Sequence, residues 1–388
     1  MGRKLPIGIQ SFEKLREEGF AYVDKTAHVY QLVQNTVPCF LLRPRRFGKS
    51  LLLSTLRAYW EGKKALFTGL AISELEAKNR EAWKPYPVFS FDFNGENYGE
   101  PGALERSLDF QMQQWESRYA CDRAQDALGE RVQKLLIQAK ERTGLRSVIL
   151  VDDYDKPLLD AARDKALQAH NQEVLKEFFR SVKRCEEFIQ FIFITGVCSF
   201  YKESIFGEFG QMKDISSSEQ GSDVCGITEK ELRRFFREEI TELAQRQGLS
   251  HEECLKKMKQ AYGGYCFHPD GVDVFNPNSL LNALSDKEIG AYWFETGTPS
   301  FLVRKLRECR FDPGKLSDGI VYAAESDLRA PADSQDPVPL LYQAGYLTIA
   351  EYDPIRKRYT LRFPNEEVQT GFLEGLVPSY ISNCSRPE

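Results

Sequence analysis

The residues best suited to chemistry lie together in a short loop near the start of the chain. Residues 40–50 read Phe-Leu-Leu-Arg-Pro-Arg-Arg-Phe-Gly-Lys-Ser, and an apolar helical stretch follows them. In a phosphate-binding loop, backbone N–H groups and a helix N-terminus face an anion, a lysine reaches the β- and γ-phosphates, and a serine hydroxyl ligates Mg²⁺. The pattern therefore predicts a nucleotide site. The residues expected to hold the nucleotide are Arg45, Arg46, Phe47, Gly48, Lys49, Ser50 and Leu51, with Ser50 also on Mg²⁺.

The start of this loop departs from the usual pattern. Arg43, followed by Pro44, stands where a glycine usually begins a phosphate-binding loop. Because arginine is costly where φ must be positive, we expect the loop to bend differently at this point. Gly48, where the backbone comes closest to phosphate, is present. The alternative interpretation is a chance Gly-Lys-Ser at a helix start, beside a solvated basic loop.

A second set of polar residues follows a later apolar run. Asp152-Asp153-Tyr154-Asp155 comes directly after residues 147–151. A carboxylate at the end of a second strand usually holds Mg²⁺ through water, so Asp152 is assigned to the metal. Asp153 stands where many P-loop ATPases have a glutamate that orients and deprotonates the attacking water. We therefore predict Asp153 as the base, with Asp155 as a competing candidate and a solvated acidic turn as the alternative.

Thr195 ends the next apolar run, residues 188–196. From between the two strands that carry the motifs, its hydroxyl can reach the γ-phosphate or the attacking water, so Thr195 is the second predicted catalytic residue. A hydroxyl that only satisfies backbone groups at the strand end is an equally good interpretation.

The elements that position these residues follow from short apolar runs. Runs at residues 37–42, 87–93, 147–151 and 188–196 are separated by helical segments. Such runs are typical of buried strands in a parallel sheet, so the pattern predicts an α/β fold. Beyond about residue 200 the pattern becomes helical to about residue 330, with a capping box at Thr228–Glu231, and a β-hairpin is expected near residues 345–363.

The bulk composition excludes some classes of protein. Lysine plus arginine number 52 and aspartate plus glutamate 57, so the net charge of −5 gives no global case for nucleic-acid binding. No apolar run is long enough to span a membrane, and the N-terminus lacks the apolar core of a signal peptide. Nine cysteines without a CxxC pair suit reduced thiols, so we expect a cytoplasmic protein.

The combined motifs closely resemble the bacterial AAA-ATPase-like family, from about residue 6 to about residue 370. The matching segments are Tyr22–Thr26, Leu42–Ser50, Val151–Pro157, Ile194–Val197, Gly226–Glu231, Tyr262–Tyr265, Phe275–Pro277, Tyr292–Trp293, Thr296–Ser300, Gln343–Leu347 and Pro364–Glu366.

The resemblance implies a fold and a ligand. It implies ATP with Mg²⁺, and a P-loop core over residues 1–205 in which a parallel sheet is flanked by helices. A helical lid and linker over 206–335 and a small winged-helix-like α+β end over 336–388 are expected to follow. Gly263 and Gly264 are expected in the lid, facing the nucleotide. Arg43 at the loop start is the family's normal form.

Two departures limit what the resemblance implies. The family usually has Asp-Glu-Tyr-Asp where this chain has Asp152-Asp153-Tyr154-Asp155, so hydrolysis is less strongly implied than binding. Family members commonly continue into a PD-(D/E)XK nuclease-like domain, whereas this chain stops at Glu388, about where that domain would begin. No Asp followed by Glu-x-Lys occurs in a strand context, and we expect no nuclease activity.

Weaker signals concern metals and nucleic acid. His251, Cys254, Cys266 and His268 lack a zinc spacing, and no zinc is expected. Basic residues at 304–310 and in the hairpin at 356–362 form either a solvated face or an edge for nucleic acid.

Three functions therefore remain open. They are a P-loop ATPase (a hydrolase), a nucleotide-gated interaction module with little turnover, and a nucleic-acid binder acting through the C-terminal region. A protein partner or nucleic acid would be contacted through that region in the second and third cases.

Overall fold

Strands and helices alternate through the first half of the chain, and helices predominate after it. The computed structural model describes residues 4–35, 37–121, 127–199, 202–209, 211–293, 300–311, 316, 320–328, 330 and 334–376. The strands are β1 (Cys39–Leu42), β2 (Val88–Asp92), β3 (Ser147–Asp152), β4 (Ile189–Gly196), β5 (Lys213–Asp214), β6 (Ile227–Thr228), β7 (Val274–Phe275), β8 (Ile320–Ala324), β9 (Thr348–Asp353) and β10 (Arg358–Arg362). The helices are α1 (Phe12–Glu17), α2 (Thr26–Val33), α3 (Lys49–Trp60), α4 (Ala71–Leu75), α5 (Ala103–Tyr119), α6 (Leu128–Thr143), α7 (Lys156–Asp160), α8 (Lys165–Arg184), α9 (Lys202–Phe206), α10 (Glu229–Phe235), α11 (Arg237–Gln247), α12 (His251–Tyr262), α13 (Pro277–Asp286), α14 (Ser300–Glu308), α15 (Glu325–Leu328), α16 (Val338–Gln343) and α17 (Glu366–Gly371).

A five-stranded parallel sheet forms the centre of the first half of the chain. Its order is β2-β3-β4-β1-β5, so β4 lies between the strand that precedes the loop and the strand that precedes the acidic run. β3 and β4 are buried along almost their whole length, which explains their continuous apolar sequences. Helices α3, α5 and α6 pack against the sheet. The predicted α/β class, with a parallel sheet flanked by helices, is confirmed.

Parallel pairing brings the ends of three strands to one edge of this sheet. Leu42 at the end of β1 pairs with Gly196 at the end of β4, and Val151 near the end of β3 pairs with Ile194. The loop after β1, the acidic run and Thr195 therefore all begin at the same edge. Open α/β sheets bind their ligands at this carboxyl edge.

The helices after the sheet have a hydrophobic core of their own. Apolar side chains of α10, α11, α12 and α13 pack on one another, with Ile227 and Phe275 from the β6–β7 pair. Thr228 and Ser250 begin α10 and α12 with capping boxes, and the predicted capping box at residue 228 is confirmed.

A three-stranded antiparallel sheet follows, in the order β8-β10-β9. The predicted hairpin is present as β9 and β10, joined at residues 354–357. The prediction of helices to about residue 330 is wrong in the region of β8, which is a strand. A five-residue strand that pairs only with a strand distant in sequence leaves little local signal. Residues 296–299 of one family motif, 331–333 of the predicted linker and 377–388 of the predicted winged-helix-like end lie outside the described residues.

The search for membrane-spanning segments gave a negative result. Among the helices in the described part of the chain, none combines the length and the apolar character needed to cross a bilayer.

Candidate functional site

The loop predicted to bind phosphate joins β1 to the first turn of α3. Arg46 and Gly48 both have left-handed φ values, of 67° and 93°. Gly48 is the N-cap of α3, and Lys49 is the first residue of this twelve-residue helix. A Cβ added at Gly48 would meet nothing within 4 Å, so the backbone is open on that side. A phosphate group can therefore approach the N–H groups at the start of the helix.

The Lys49 side chain is buried and folds back over the loop. Its Nζ donates to the backbone carbonyls of Arg43 at 3.2 Å and Pro44 at 3.4 Å. The same atom lies 3.4 Å from Oδ1 of Asp153. These contacts hold the ammonium group at the mouth of the loop, where a lysine acts as a point charge on phosphate.

The unusual arginine at the loop start is a structural residue. The Arg43 guanidinium is buried and donates to the carbonyls of Leu42 and Ser216, each at 2.7 Å, and of Gly221 at 2.5 Å. It also stacks on the ring of Phe267 at 3.9 Å. Burial lowers the pKa of Arg43. The side chain therefore points away from the loop mouth and ties the loop to the segment after β5.

Asp152 and Thr195 contact each other behind the loop. The buried Thr195 hydroxyl donates to Oδ1 of Asp152 at 2.6 Å and accepts the Asp153 N–H at 3.3 Å. Ser50 also hydrogen-bonds to the Asp152 carboxylate, and Nδ2 of Asn94 lies 3.5 Å from its other oxygen. The fold thus joins the serine of the first motif to the first aspartate of the second motif.

Asp153 has a strained backbone and an incompletely paired carboxylate. Its φ is 49°, the left-handed region that non-glycine residues seldom adopt. Its buried Oδ1 accepts no hydrogen bond and is 3.4 Å from Lys49 Nζ. Strain of this kind clusters at functional sites. The left-handed turn directs the Asp153 side chain to the loop, as the predicted base requires.

Asp155 is used in a different way from its two neighbours. Its fully buried carboxylate accepts the N–H of Val197 at 3.1 Å and the N–H of Cys198 at 2.7 Å. A Cβ added at Gly196 would lie 2.8 Å from the same carboxylate. Asp155 therefore ties the acidic run to the end of β4, whereas Asp152 contacts Ser50 and Asp153 contacts Lys49.

Burial perturbs the acids of this site. Burial, and then the charge of Asp153, raise the pKa of Asp152 from 3.8 to about 6, although hydrogen bonds from Ser50 and Thr195 oppose the shift. The same two causes, in the same order, raise the pKa of Asp155 to about 6. Burial and the charge of Asp153 thus disfavour the ionised form of both carboxyl groups.

A large cavity opens above the loop. Its volume is about 670 Å³, within the range of small-molecule sites. The predicted site residues on its wall are Arg45, Arg46, Gly48, Lys49, Ser50, Leu51 and Asp153. The remaining predicted residues, Phe47, Asp152 and Thr195, are buried behind that wall. The further lining residues, which the sequence analysis did not assign to the site, include Pro6–Gln10, Asn94, Pro277, Asn278, Leu281 and Trp293.

A smaller apolar cavity of about 100 Å³ adjoins the large one. The two share Pro6, Gly48, Leu51, Pro277 and Leu281. Almost all of the side chains around the smaller cavity are apolar. Transfer of a flat apolar group from water into this cavity would be favourable.

The loop is contacted by residues from the second half of the chain. Arg46 donates to Oδ1 of Asn278 at 3.0 Å, and Nε1 of Trp293 donates to the carbonyl of Arg45 at 3.3 Å. Phe47 packs edge-on against Tyr265, with ring centroids 4.7 Å apart. These contacts place parts of the predicted lid directly on the loop.

Two groups of predicted residues lie elsewhere. Gly264 packs against Pro364, whose carbonyl oxygen would be 2.2 Å from an added Cβ, and the Gly263 carbonyl accepts from Asn365 at 2.9 Å. The expectation that this glycine pair faces the nucleotide is wrong, because both contact the C-terminal region. The basic residues of the hairpin are exposed, and none of them lines either cavity.

The described part of the chain contains no cluster of three or more histidine, cysteine, aspartate or glutamate side chains arranged to hold a metal. Asp155 is turned to the backbone of β4, so the acidic run does not form such a cluster.

A parallel sheet with β4 between the two motif strands, and a Gly-Lys-Ser turn at its carboxyl edge, define a P-loop NTPase-like α/β domain. The chain belongs to the AAA-ATPase-like family, described as "Predicted AAA-ATPase", whose model matches residues 6–206. The family that the sequence motifs suggested is confirmed, and it supports nucleotide binding.

The chain is also similar to a curated relative. It is 35% identical over 389 residues to "Uncharacterized protein in vnfD 5'region" of Azotobacter chroococcum mcd 1, and the match covers 98% of this chain and 71% of that protein. No solved structure matches the chain.

Proposed function

We propose that this chain binds Mg-ATP in the cavity above the loop and hydrolyses it. The observation that carries this proposal is the position of Lys49, whose Nζ is held at the loop mouth 3.4 Å from Asp153. A lysine that contacts phosphate and a carboxylate that accepts the proton of the attacking water are two of the groups that recur in enzymes of phosphoryl transfer.

The shape of the site suggests how the nucleotide lies. The phosphates would contact Lys49 and the N–H groups at the start of α3, which the open side of Gly48 leaves accessible. The base would lie toward the apolar cavity between Pro6 and Leu281. Loop and cavity are adjacent, so one nucleotide can occupy both.

The residues present fit Mg²⁺. This ion prefers oxygen ligands and keeps several waters. The Ser50 hydroxyl and the Asp152 carboxylate are in contact, and the neighbouring Oδ1 of Asp153 is buried without a hydrogen bond. Ser50 and Asp152 would hold the ion, which when bound neutralises phosphate charge.

The residues around the γ-phosphate would assist the hydrolysis of its bond to ADP. A water oxygen forms the new bond to the γ-phosphorus, the bond to the β–γ bridging oxygen breaks, and its electron pair leaves with ADP. Asp153 accepts the proton of the attacking water, while the positive charge of Lys49 stabilises the negative charge on the phosphate oxygens. Thr195 is assigned to orient Asp153, since its hydroxyl accepts the Asp153 N–H at 3.3 Å.

A second candidate function is a nucleotide-gated interaction module with little turnover. It is favoured by the contacts of Asn278 and Trp293 with the loop. Nucleotide bound to the loop would change these contacts and so alter the surface offered to a partner.

Phosphate release under multiple turnover separates the two functions. We expect the wild type and the exposed control Asp270→Asn to hydrolyse Mg-ATP, and Asp153→Asn to be at least about 100-fold slower. ATP binding by a wild type that does not turn over would favour the interaction module. An unchanged hydrolysis rate in Asp153→Asn would contradict the assignment of Asp153 as the base.

A further inference from the structure

Two exposed arginines of the loop have different surroundings. The Arg46 guanidinium is bonded to Asn278, 3.0 Å away. The Arg45 guanidinium donates to no residue in the described part of the chain, although its backbone carbonyl is held by Trp293 at 3.3 Å. Arg45 therefore combines a fixed backbone with an uncommitted charged side chain on the cavity wall.

The other charges on this wall have partners. Lys49 is paired with Asp153, and Lys156 is paired with Asp160. Asp155 is satisfied by backbone N–H groups. Within the described residues, Arg45 is thus the cavity cation whose side chain has no hydrogen-bond or ion-pair partner, whereas Arg46 is bonded to the uncharged amide of Asn278. A guanidinium in this state suits a ligand phosphate, which it can bind through two parallel hydrogen bonds.

Residues that follow β4 lie near Arg45. Cys198 follows β4, and burial raises the pKa of its thiol well above the ordinary value, whereas the charges of Arg45 and Lys49 oppose this shift. Arg45 therefore shares the cavity wall with Asp153 and with Val197, which directly follows β4.

We propose that Arg45 contacts the γ-phosphate of ATP within its own chain, so that one copy of the protein completes the site. This inference rests on the proposed function. Many P-loop enzymes receive the corresponding arginine from a partner molecule, and the charge acts on the group that is transferred. Arg45 would accordingly strengthen the binding of ATP but not of ADP. It would also stabilise the negative charge that develops on the γ-phosphate.

The first test compares the affinities of ATP and ADP, each with Mg²⁺, by competition against a fluorescent nucleotide. Arg45→Ala should lose about 10- to 100-fold in ATP affinity while ADP affinity stays within about 3-fold. The ATP affinity of Arg45→Lys should lie between those of the wild type and Arg45→Ala, because lysine keeps the charge but cannot donate two parallel hydrogen bonds as a guanidinium does. Arg142→Ala, an exposed arginine on α6, is the control and should match the wild type.

The outcomes distinguish this inference from the proposed function. Equal losses of ATP and ADP affinity in Arg45→Ala, or no loss, would overturn the inference while the nucleotide site stands. Absence of saturable ATP binding by the wild type would overturn both.

The second test asks whether Arg45 acts within its own chain. Arg45→Ala and Lys49→Ala should each bind ATP weakly, and an equimolar mixture should bind no better than the average of the two. Recovery of tight ATP binding in the mixture would mean that a mixed assembly forms complete sites, and would overturn the assignment to the same chain.

Discussion

Nζ of Lys49 lies 3.4 Å from Oδ1 of Asp153, so the phosphate-contacting lysine and the proposed base are paired with each other. The pair is largely buried, and the aspartate oxygen accepts no hydrogen bond. Incoming phosphates would compete with Asp153 for the lysine. The two charges thus neutralise each other, and nucleotide binding would free the carboxylate to accept a proton from water.

This pairing predicts that removal of the Asp153 charge increases the affinity for Mg-ATP. Asp153→Asn should bind Mg-ATP about 3- to 10-fold more tightly, because the lysine no longer has a competing anion. Asparagine tolerates the left-handed backbone at this position, so the fold should be retained. Calorimetric titration measures the change, with Asp270→Asn as the control. Weaker binding by Asp153→Asn would contradict the competition.

Asp155 should affect stability much more than Asp153 does. Asp155→Ala removes the acceptor of two buried N–H groups, at Val197 and Cys198, and should lower the free energy of unfolding by about 2–4 kcal/mol. Urea denaturation followed by circular dichroism measures the loss. Equal stability of the wild type and Asp155→Ala would mean that the carboxylate is not structural, and would return it to the candidates for the base.

Two glycines with positive φ, Gly345 beside the loop and Gly248 at the end of α11, provide a matched pair of variants. A Cβ added at Gly345 would lie 2.7 Å from side-chain carbons of Pro44, whereas one added at Gly248 meets nothing within 4 Å. Both alanine variants should lose about 1–2 kcal/mol in unfolding free energy from backbone strain. Only Gly345→Ala should also weaken ATP binding, because it displaces the loop start. The same ATP affinity in both variants would argue against control of the loop by residue 345.

The metal-free protein should show a pH-dependent cost at Asp152. Because its pKa is raised from 3.8 to about 6 in the folded state, the carboxyl stabilises the fold when protonated, and this stability is lost as pH rises through about 6. Asp152→Asn, which does not ionise, should therefore gain roughly 1–3 kcal/mol relative to the wild type between about pH 4 and about pH 7. Urea denaturation in EDTA across this range measures the difference. A constant difference would contradict the raised pKa.

The local parts of the site could be predicted from the sequence. The run from Phe40 to Ser50 and the run from Val148 to Asp153 each carry strand, turn and polar residues in one short segment. The position of Thr195 between the two motif strands follows from the strand order that a P-loop sheet requires, and the observed order agrees. Whether these residues act as assigned stays a prediction.

The long-range parts could not be predicted in this way. Asn278 and Trp293 reach the loop across more than 200 residues of sequence, and no local pattern marks such contacts. Arg43 was recognised as unusual, but its burial depends on carbonyls at Ser216 and Gly221, which the sequence does not connect to it. Tertiary contacts also decide that Gly264 packs on Pro364.

The most direct test of the central claim is a titration of a fluorescent ATP analogue, with Mg²⁺, into the wild type, Lys49→Ala and the exposed-lysine control Lys257→Ala. The account predicts saturable binding by the wild type and the control, and binding weakened by at least about 10-fold in Lys49→Ala. Equal binding by all three proteins, or no binding by any of them, would contradict a nucleotide site at this loop.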